Sequence, residues 1–261
     1  MNEAYLKKLF SLDGKKAIVT GASQGIGRAI ADSLAAFGAE VVVLGRNKAY
    51  LKDVEDSIRA AGGVCKAYEV DVSCQAKMNA FFDEYMAENG RLDIFVNNAA
   101  YTVMKHATET TEDEMDGLFA TNIKGALFGL SRAAEIMKKQ RDGSITIVTS
   151  VNALAPLPPQ AVYTSTKCAL EGLMKCLAAD LSEYGIRVNS CAPGAINTNM
   201  NAAAFSTQEG IDDECARMIP LGRVGESPDI GDVVACMASD AFRYMTGSTV
   251  LVDGGLMLRK G

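Results

Sequence analysis

The stretch that decides the fold is "KAIVTGASQGIGRAIA" (16–31), where a short apolar run meets three glycines and then a helical pattern. Residues 16–20 have the β-branched, apolar character of a buried strand. The apolar side chains of residues 25–37 recur at helical spacing. A strand that runs through a glycine turn into a helix is typical of the first unit of a dinucleotide-binding domain.

Each glycine of "TGASQGIG" (20–27) has a physical use in such a unit. Gly21 permits the tight turn, Gly25 lets the backbone approach a pyrophosphate, and Gly27 lets the helix pack closely on the sheet. The helix N-terminus offers free N–H groups and a positive dipole end to phosphate. A plain structural turn is the alternative, but the strand before and the helix after favour nucleotide binding. The residues of this turn that we expect to contact the cofactor are Gly21, Ser23, Gln24, Gly25, Ile26 and Gly27.

The same alternation of strand and helix continues along the chain. It predicts an α/β fold, namely a Rossmann-type doubly wound sheet of seven parallel strands with helices on both faces. We predict one dinucleotide-binding and catalytic domain over 1–261, with a flexible substrate flap at about 194–226, where periodicity is poor. The predicted strands are 16–20, 39–45, 64–70, 92–98, 143–150, 186–192 and 248–255. The predicted helices are 25–37, 48–61, 73–89, 112–139, 161–184 and 228–239.

Composition excludes several classes of protein. The net charge of the 261 residues is −6 and no long basic run occurs, which argues against nucleic acid or an anionic membrane as partner. No apolar stretch approaches the roughly 18–20 residues that span a bilayer, and the N-terminus lacks a secretory signal. Seven cysteines without a CxxC pair suit free thiols in a reducing compartment. We therefore expect a soluble, cytoplasmic protein, and the single histidine, His106, argues against a metal site.

The end of the second strand, "VVVLGRN" (41–47), bears on the choice of cofactor. An NAD site places an acidic residue here to bind the ribose 2′-hydroxyl. Arg46 stands there instead, and its planar guanidinium suits a 2′-phosphate. The pattern favours NADP(H), with NAD(H) and a merely solvated arginine as the alternatives. Asp71 and Val72 follow the third strand, where Asp71 could accept from the adenine amino group or cap the strand end.

A tyrosine and a lysine in "YTSTK" (163–167) indicate acid–base chemistry. Tyr163 and Lys167 are four residues apart and so share one face of a helix. A free phenol has a pKa of about 10. A nearby ammonium group favours the phenolate, so we expect Lys167 to lower the pKa of Tyr163 and make it a better general acid or base. Ser150 lies at the end of the fifth strand, where open α/β sheets bind ligands, and its hydroxyl can hold a substrate oxygen.

Taken together and in this order, the motifs resemble the short-chain dehydrogenase/reductase family over almost the whole chain. Ser150 lies 13 residues before Tyr163, as in the family. The segments 193–205 and 218–226 look similar to the bacterial glucose dehydrogenase branch, and hydroxysteroid dehydrogenases and ketoacyl reductases share much of this pattern. The motifs that carry the resemblance are "TGASQGIG" (20–27), "NNAA" (97–100), Asn122 in "TNIKG", Ser150 in "VTS", "YTSTK" (163–167) and "PGAINT" (193–198).

The resemblance implies an NAD(P)-dependent short-chain alcohol dehydrogenase or ketone reductase. Hydride would pass between nicotinamide C4 and a secondary alcohol or ketone, with Tyr163 as general acid/base and Ser150 orienting the substrate. Asn122 would distort its helix and hold a water that relays protons to Lys167. Ala100 stands where the family more usually has glycine. The further cofactor contacts that the resemblance implies are Asn98, Tyr163, Lys167, Pro193, Gly194, Ile196 and Thr198.

The substrate is predicted from the segments expected to line its pocket, which are 101–105, 151–160 and 195–218. They are largely apolar or amide-bearing, although Lys105 and Arg217 could add charge. We rank sugars or polyols first among the predicted substrates, followed by hydroxysteroids and then acyl ketones. A non-catalytic NADP-binding regulator or scaffold is the main rival function, but it would need none of the tyrosine, lysine, serine and asparagine set. A lyase or epimerase that uses the same cleft is a lesser alternative.

The resemblance also implies a homotetramer assembled through the helices at 112–139 and 161–184. These helices carry apolar residues that could face either a partner or the core. The residues left open in this way are Leu127, Leu130, Leu173 and Leu177.

Overall fold

One twisted sheet organises the molecule. The computed structural model describes residues 2–198 and 218–258. Its seven strands within those ranges are all parallel, in the order β3-β2-β1-β4-β5-β6-β7, which confirms the predicted Rossmann-type sheet. The strands are β1 (Lys16–Thr20), β2 (Glu40–Gly45), β3 (Val64–Glu69), β4 (Ile94–Asn97), β5 (Gly143–Val148), β6 (Ile186–Pro193) and β7 (Thr249–Val252).

Helices connect the strands and cover both faces. No helix in the described ranges is both long and apolar enough to cross a membrane. The α-helices found there are α1 (Glu3–Phe10), α2 (Gly25–Ala36), α3 (Lys48–Ala60), α4 (Gln75–Asn89), α5 (Glu112–Phe119), α6 (Ala126–Gln140), α7 (Ala161–Leu181) and α8 (Ser227–Ala238).

Two helical features differ from the sequence-based prediction. The first is α1, which buries none of its residues and therefore has no core-facing apolar stripe to reveal it. The second is the helix predicted over 112–139, which is divided into α5 and α6 by the π-helical segment Ala120–Gly125. A π turn changes the hydrogen-bond spacing without interrupting helical character, so periodicity alone does not detect it.

The core consists of two main apolar layers, one on each face of the sheet. Helices α2, α3 and α8 pack on one face, and α4, α6 and α7 pack on the other. Alternate strand residues supply both layers: Ile94 and Val96 of β4 join the first, and Phe95 joins the second. Fully burying a side chain of this size stabilises the fold by about 1.5–3 kcal/mol.

Of the four leucines left open between core and partner surface, Leu130 belongs to the core, with 1% of its surface exposed. Leu173 and Leu177 are partly buried against the same layer. Leu127 is 39% exposed. Only this last residue therefore presents a largely free apolar surface.

The predicted flap at 194–226 is only partly within view, because residues 199–217 lie outside the described residues. Its two described ends are joined. The Asn197 amide donates to the Gly225 carbonyl at 2.8 Å, and the Gly225 amide donates to the Ala195 carbonyl at 3.0 Å. The segment after β6 is thus fastened to the segment that leads into α8.

Candidate active site

A cavity of about 750 Å³ lies where the strands end at their carboxyl sides. The order of the sheet reverses between β1 and β4, and such a switch point is where open α/β sheets bind ligands. Asn122, 1% exposed, is absent from the lining. All the other residues predicted for the site line the cavity: Gly21, Ser23, Gln24, Gly25, Ile26, Gly27, Arg46, Asp71, Val72, Asn98, Ser150, Tyr163, Lys167, Pro193, Gly194, Ile196 and Thr198.

The glycine turn forms one end of the cavity and is packed too tightly for side chains. Gly21 has φ +65°, and a Cβ there would lie 2.7 Å from the Cα of Ala99. A Cβ on Gly27 would lie 2.3 Å from the Gly21 carbonyl oxygen and 2.4 Å from Nδ2 of Asn98. These two glycines therefore let the start of α2 lie directly against the end of β1.

Asn98 ties the end of β4 to this turn. Its Nδ2 donates to the carbonyl oxygens of Thr20 and Gly21, both at 3.0 Å. Its backbone amide donates to the Thr20 hydroxyl, again at 3.0 Å. The side chain thus holds the shape of the turn, a role that the sequence-based prediction of a cofactor contact did not include.

Arg46 and Asp71 lie at the outer part of the same end. Arg46 is exposed and follows Gly45, which lies beside Ser23 of the turn. Burial alone would raise the pKa of Asp71, but hydrogen bonds from Ser73 and the charge of Arg46 outweigh it and lower that pKa. Asp71 Oδ1 accepts from the Ser73 amide at 3.0 Å and from its hydroxyl at 2.7 Å, so Asp71 caps the segment that leads to α4.

Ser150 and Tyr163 meet at the opposite end of the cavity. Ser150 lies two residues beyond β5, and its Oγ accepts from the Asn152 amide at 3.1 Å, which starts a 3₁₀ turn. Tyr163 lies in the first turn of α7, and its hydroxyl lies close enough to the Ser150 side chain for Ser150 to lower its pKa. Two hydroxyl groups therefore converge on one point of the cavity wall.

Burial decides the protonation of both titratable groups at this end. It raises the pKa of Tyr163 to about 12, although the hydrogen bond with Ser150 opposes the change. The expectation that this pKa lies below that of a free phenol is therefore wrong for the protein alone. Burial also lowers the pKa of Lys167 to about 8. The Lys167 Nζ donates to the Val148 carbonyl at 2.9 Å and lies 5.6 Å from the centroid of the Tyr163 ring.

Asn122 lies behind the cavity, at the centre of the π-helical segment. Its Oδ1 accepts from the Tyr101 amide at 2.7 Å, and its Nδ2 donates to the Tyr101 carbonyl at 2.9 Å. The same Nδ2 donates to the Thr166 hydroxyl at 3.0 Å, and that hydroxyl donates to the Tyr163 carbonyl at 2.7 Å. The Asn122 side chain therefore braces the loop after β4 against the first turns of α7.

Apolar and amide side chains form the wall beyond Ser150 and Tyr163. The Asn152 amide donates to the Gln160 side-chain oxygen, and the Gln160 amide donates to the Met104 sulfur. Lys105 is paired with Glu114 at 2.6 Å, and Arg217 lies outside the described residues. The side chains of this wall are Thr102, Met104, Val151, Asn152, Leu157, Pro158, Pro159, Gln160, Met218, Ile219 and Leu256.

Ile219 and Leu256 were not predicted to line the cavity. Leu256 follows Gly254 and Gly255, whose φ values of +62° and +89° turn the chain back after β7. A Cβ on Gly255 would lie 2.9 Å from the ring of Pro220, so this turn packs beside Ile219. The glycine pair in "VDGG" (252–255) was the only sequence signal for that return.

The residues at hand fit a dinucleotide. One end of the cavity is walled by backbone that no Cβ obstructs, beside the N-terminus of α2, which suits a pyrophosphate. Arg46 supplies a cation beyond it, and Ser150 and Tyr163 supply hydroxyl groups at the far end. Cofactor and substrate would thus meet at Tyr163.

Comparison with known proteins agrees with this geometry. The family model described as enoyl-(acyl carrier protein) reductase matches residues 21–257. The 3beta-hydroxysteroid dehydrogenase 1 of Eggerthella lenta is 36% identical over 252 residues, which cover 96% of each chain. The 3-oxoacyl-(acyl-carrier-protein) reductase FabG of Staphylococcus aureus is 37% identical over 245 residues, 94% of this chain and 98% of that protein.

A solved structure is also similar to this chain. The gluconate 5-dehydrogenase from Burkholderia cenocepacia, in complex with NADP and tartrate, superposes with a TM-score of 0.92 at 31% identity. The match covers 98% of this chain and all of that one. These likenesses extend over nearly the full length of each protein and confirm the resemblance found in the motifs. The chain belongs to the short-chain dehydrogenase/reductase family of oxidoreductases.

Proposed function

We propose that the chain is an NADP(H)-dependent oxidoreductase that interconverts an uncharged secondary alcohol and its ketone, with Tyr163 as general acid and base. The observation that carries the proposal is the cavity itself. Its lining joins the glycine turn and Arg46 at one end to Ser150, Tyr163 and Lys167 at the other. A cofactor-binding scaffold would need the first end only.

For ketone reduction, the hydroxyls of Ser150 and Tyr163 hold the carbonyl oxygen. NADPH, when bound, supplies the hydride that the carbonyl carbon accepts, and NADP accepts it in the reverse direction. As the C–O bond gains electron density, Tyr163 gives its proton to the oxygen, and the alcohol leaves. With its pKa at about 12 in the protein alone, Tyr163 is protonated at neutral pH, as an ordinary phenol also is, and this is the form that reduction requires. Proton donation of this kind contributes about 10²–10⁴-fold in rate.

Lys167 supports the phenolate that remains after proton transfer. Its Nζ is held by the Val148 carbonyl, 5.6 Å from the centroid of the Tyr163 ring. In a buried site an ammonium group at this range stabilises a developing negative charge. Alcohol oxidation uses the same groups in reverse, with Tyr163 receiving the alcohol proton.

Two observations support NADP(H) over NAD(H). Arg46, and no acidic residue, follows β2 at the place where a 2′-phosphate or 2′-hydroxyl would lie. The gluconate 5-dehydrogenase relative holds NADP in its solved structure. Asp71 has its Oδ1 engaged by Ser73, so any contact with adenine would use its second oxygen.

The wall beyond Tyr163 favours an uncharged substrate. The amides of Asn152 and Gln160 are directed to each other and to Met104, and Lys105 is neutralised by Glu114. The remaining described wall is mostly apolar, which suits the rings of a hydroxysteroid. Sugars and polyols are the second candidate, because a gluconate 5-dehydrogenase is among the similar structures.

We further propose a single catalytic domain that assembles as a homotetramer. Leu127 and Phe119, on the neighbouring helices α6 and α5, are 39% and 40% exposed. Exposed apolar side chains of this size suit an interface between copies. Light scattering at several protein concentrations checks the prediction, and a mass of one chain at all of them would contradict it.

A substrate panel tests the proposed reaction. A 3-oxosteroid, 5-ketogluconate, cyclohexanone and an acetoacetyl thioester, with the matching alcohols, are followed by nicotinamide absorbance with NADPH/NADP and NADH/NAD. We expect turnover with NADPH to exceed that with NADH, and the 3-oxosteroid to be reduced fastest. NADPH binding without turnover of any compound would support the non-catalytic alternative.

A further inference from the structure

The end of β5 and one face of α7 are joined by a series of contacts in register. The Val148 carbonyl accepts from Lys167, and two residues later the Ser150 hydroxyl meets Tyr163. Tyr163 and Lys167 are one helical turn apart, so strand and helix are clamped at two consecutive turns. The position of β5 along the axis of α7 therefore sets the geometry of both contacts.

Glu171 makes the third contact, one turn further along the same face of α7. It is 7% exposed and accepts from three hydroxyl groups. Thr149 donates to its Oε1 at 2.6 Å, Ser190 to the same oxygen at 2.9 Å, and Thr249 to its Oε2 at 2.7 Å. One carboxylate thus fastens the residue after β5, the middle of β6 and the first residue of β7 to α7.

A buried carboxylate is a costly way to join a helix to a sheet, because its charge is removed from water. An apolar side chain of similar size would pack there without that penalty. The carboxylate also restricts the positions of its partners, because each of its oxygens must lie at hydrogen-bond distance from its donors. Glu171 therefore fixes the position of Thr149 along the axis of α7, in addition to holding Thr149 close to that helix.

Thr149 is the residue between Val148 and Ser150, so a shift of its backbone moves both neighbours. We propose that Glu171 is a positioning residue for the reaction proposed above, acting through Thr149 to align Ser150 with Tyr163 and Val148 with Lys167. The inference rests on the proposed function, because the contacts that it aligns are those of the proton donor. A displacement of about 1 Å at reacting groups can lower turnover by about 10²-fold.

Two threonine variants separate positioning from simple structural support. Thr149→Val removes the donor that links Glu171 to the end of β5. Thr249→Val removes a donor from the other carboxylate oxygen and leaves the Thr149 contact in place. Each variant deletes one hydroxyl–carboxylate bond, which is buried at Thr149 and part-buried at Thr249. Each also deletes one weaker contact, with the Cys191 carbonyl at 3.3 Å for Thr149 and with the Ser190 hydroxyl at 3.0 Å for Thr249. We therefore expect losses of thermal stability of the same order.

The kcat values of the two threonine variants should differ. With the ketone that the wild-type enzyme reduces fastest, Thr149→Val should lower kcat about 10- to 100-fold with unchanged KM and NADPH Kd. Thr249→Val should keep the wild-type kcat. Equal kcat losses in the two variants, or none in Thr149→Val, would overturn the inference.

Substitutions of Glu171 itself provide the second measurement. Glu171→Gln keeps the volume and one acceptor oxygen, whereas Glu171→Leu keeps only the volume. We expect kcat to fall in the order wild type, Glu171→Gln, Glu171→Leu in samples of equal folded fraction, and identical values would contradict the positioning role. If the leucine variant does not fold, the two threonine variants decide. Wild-type protein without ketone turnover would remove the proposed function and this inference together, whereas an active wild type with an unaffected Thr149→Val would remove the inference alone.

Discussion

The two ends of the cavity are built from different parts of the polypeptide. At the glycine turn, the surface offered to a ligand is backbone, and the conspicuous feature of Gly21 and Gly27 is the side chain that they lack. At the other end, three side chains converge, and burial raises the pKa of Tyr163 and lowers that of Lys167. A backbone surface can recognise a phosphate without titrating, whereas the side-chain surface is where protons can move.

The largest expected effect separates binding from chemistry at the side-chain end. Tyr163→Phe keeps the ring but removes the proton donor, so kcat should fall about 10²–10⁴-fold. NADPH affinity, measured by fluorescence titration, should stay close to that of the wild type. Tyr244→Phe is the matched control, because Tyr244 is fully exposed and lies outside the cavity lining. Near-normal turnover of Tyr163→Phe would exclude Tyr163 as the acid.

Arg46 is the exception at the backbone end, because its contribution is a side-chain charge. Arg46→Asp should lower kcat/KM for NADPH relative to NADH by about 10- to 100-fold, since hydrogen bonds to a charged group contribute about 1.5–3 kcal/mol. Lys48→Asp is the control: it makes the same change of charge at an exposed position nearby that does not line the cavity. If both variants changed the cofactor ratio equally, the effect would be one of general charge and not of Arg46.

The glycine turn can be tested by adding a single methyl group. In Gly27→Ala the new Cβ would meet the Gly21 carbonyl oxygen and the Asn98 amide, which hold the turn together. Overpacking of this kind costs about 1–3 kcal/mol, and we expect it as weaker NADPH binding in calorimetry. Gly172→Ala is the control, because a Cβ there meets nothing within 4 Å. Equal NADPH affinity in the two variants would contradict the requirement for close packing.

The sequence was most informative where the relevant residues are neighbours in the chain. The glycine turn, and the pairing of Tyr163 with Lys167, are local patterns whose geometry follows from a strand–turn–helix and from one helical turn. Both can be recognised in the sequence because the spacing of the residues determines their relative positions in the structure. The seven strands were predicted for a similar reason, since each is a short strand-like segment that alternates along the chain with helical segments.

Features that depend on distant segments were missed or misjudged. The link from Asn98 to Gly21 joins residues 77 apart in the chain, and the bond from Thr249 to Glu171 joins residues 78 apart. The pKa of Tyr163 was expected to fall because the sequence shows the lysine but not the burial, which raises it. Burial is a property of the assembled fold, and no local pattern reports it.

The lowered pKa of Lys167 makes the stability of the fold depend on pH. Burial lowers its pKa from 10.5 to about 8, so between these values the unfolded chain binds a proton that the folded chain does not. A state that binds more protons is disfavoured as pH rises, so the contribution of Lys167 to stability grows with pH across this window. Backbone at the glycine turn makes no such contribution. The burial of Lys167 therefore lowers the stability of the fold at neutral pH.

Lys167→Met should remove this pH dependence. The free energy of unfolding of the wild type, minus that of the variant, should rise by roughly 2 kcal/mol between about pH 7 and about pH 9.5 in urea titrations without cofactor. Groups that titrate alike in both proteins cancel in the subtraction. Lys138→Met, with the exposed lysine of α6, is the control and should give a flat difference. A flat difference for Lys167→Met as well would mean that the buried ammonium group keeps its ordinary pKa. The catalytic end would then stabilise the fold as independently of pH as the glycine turn does.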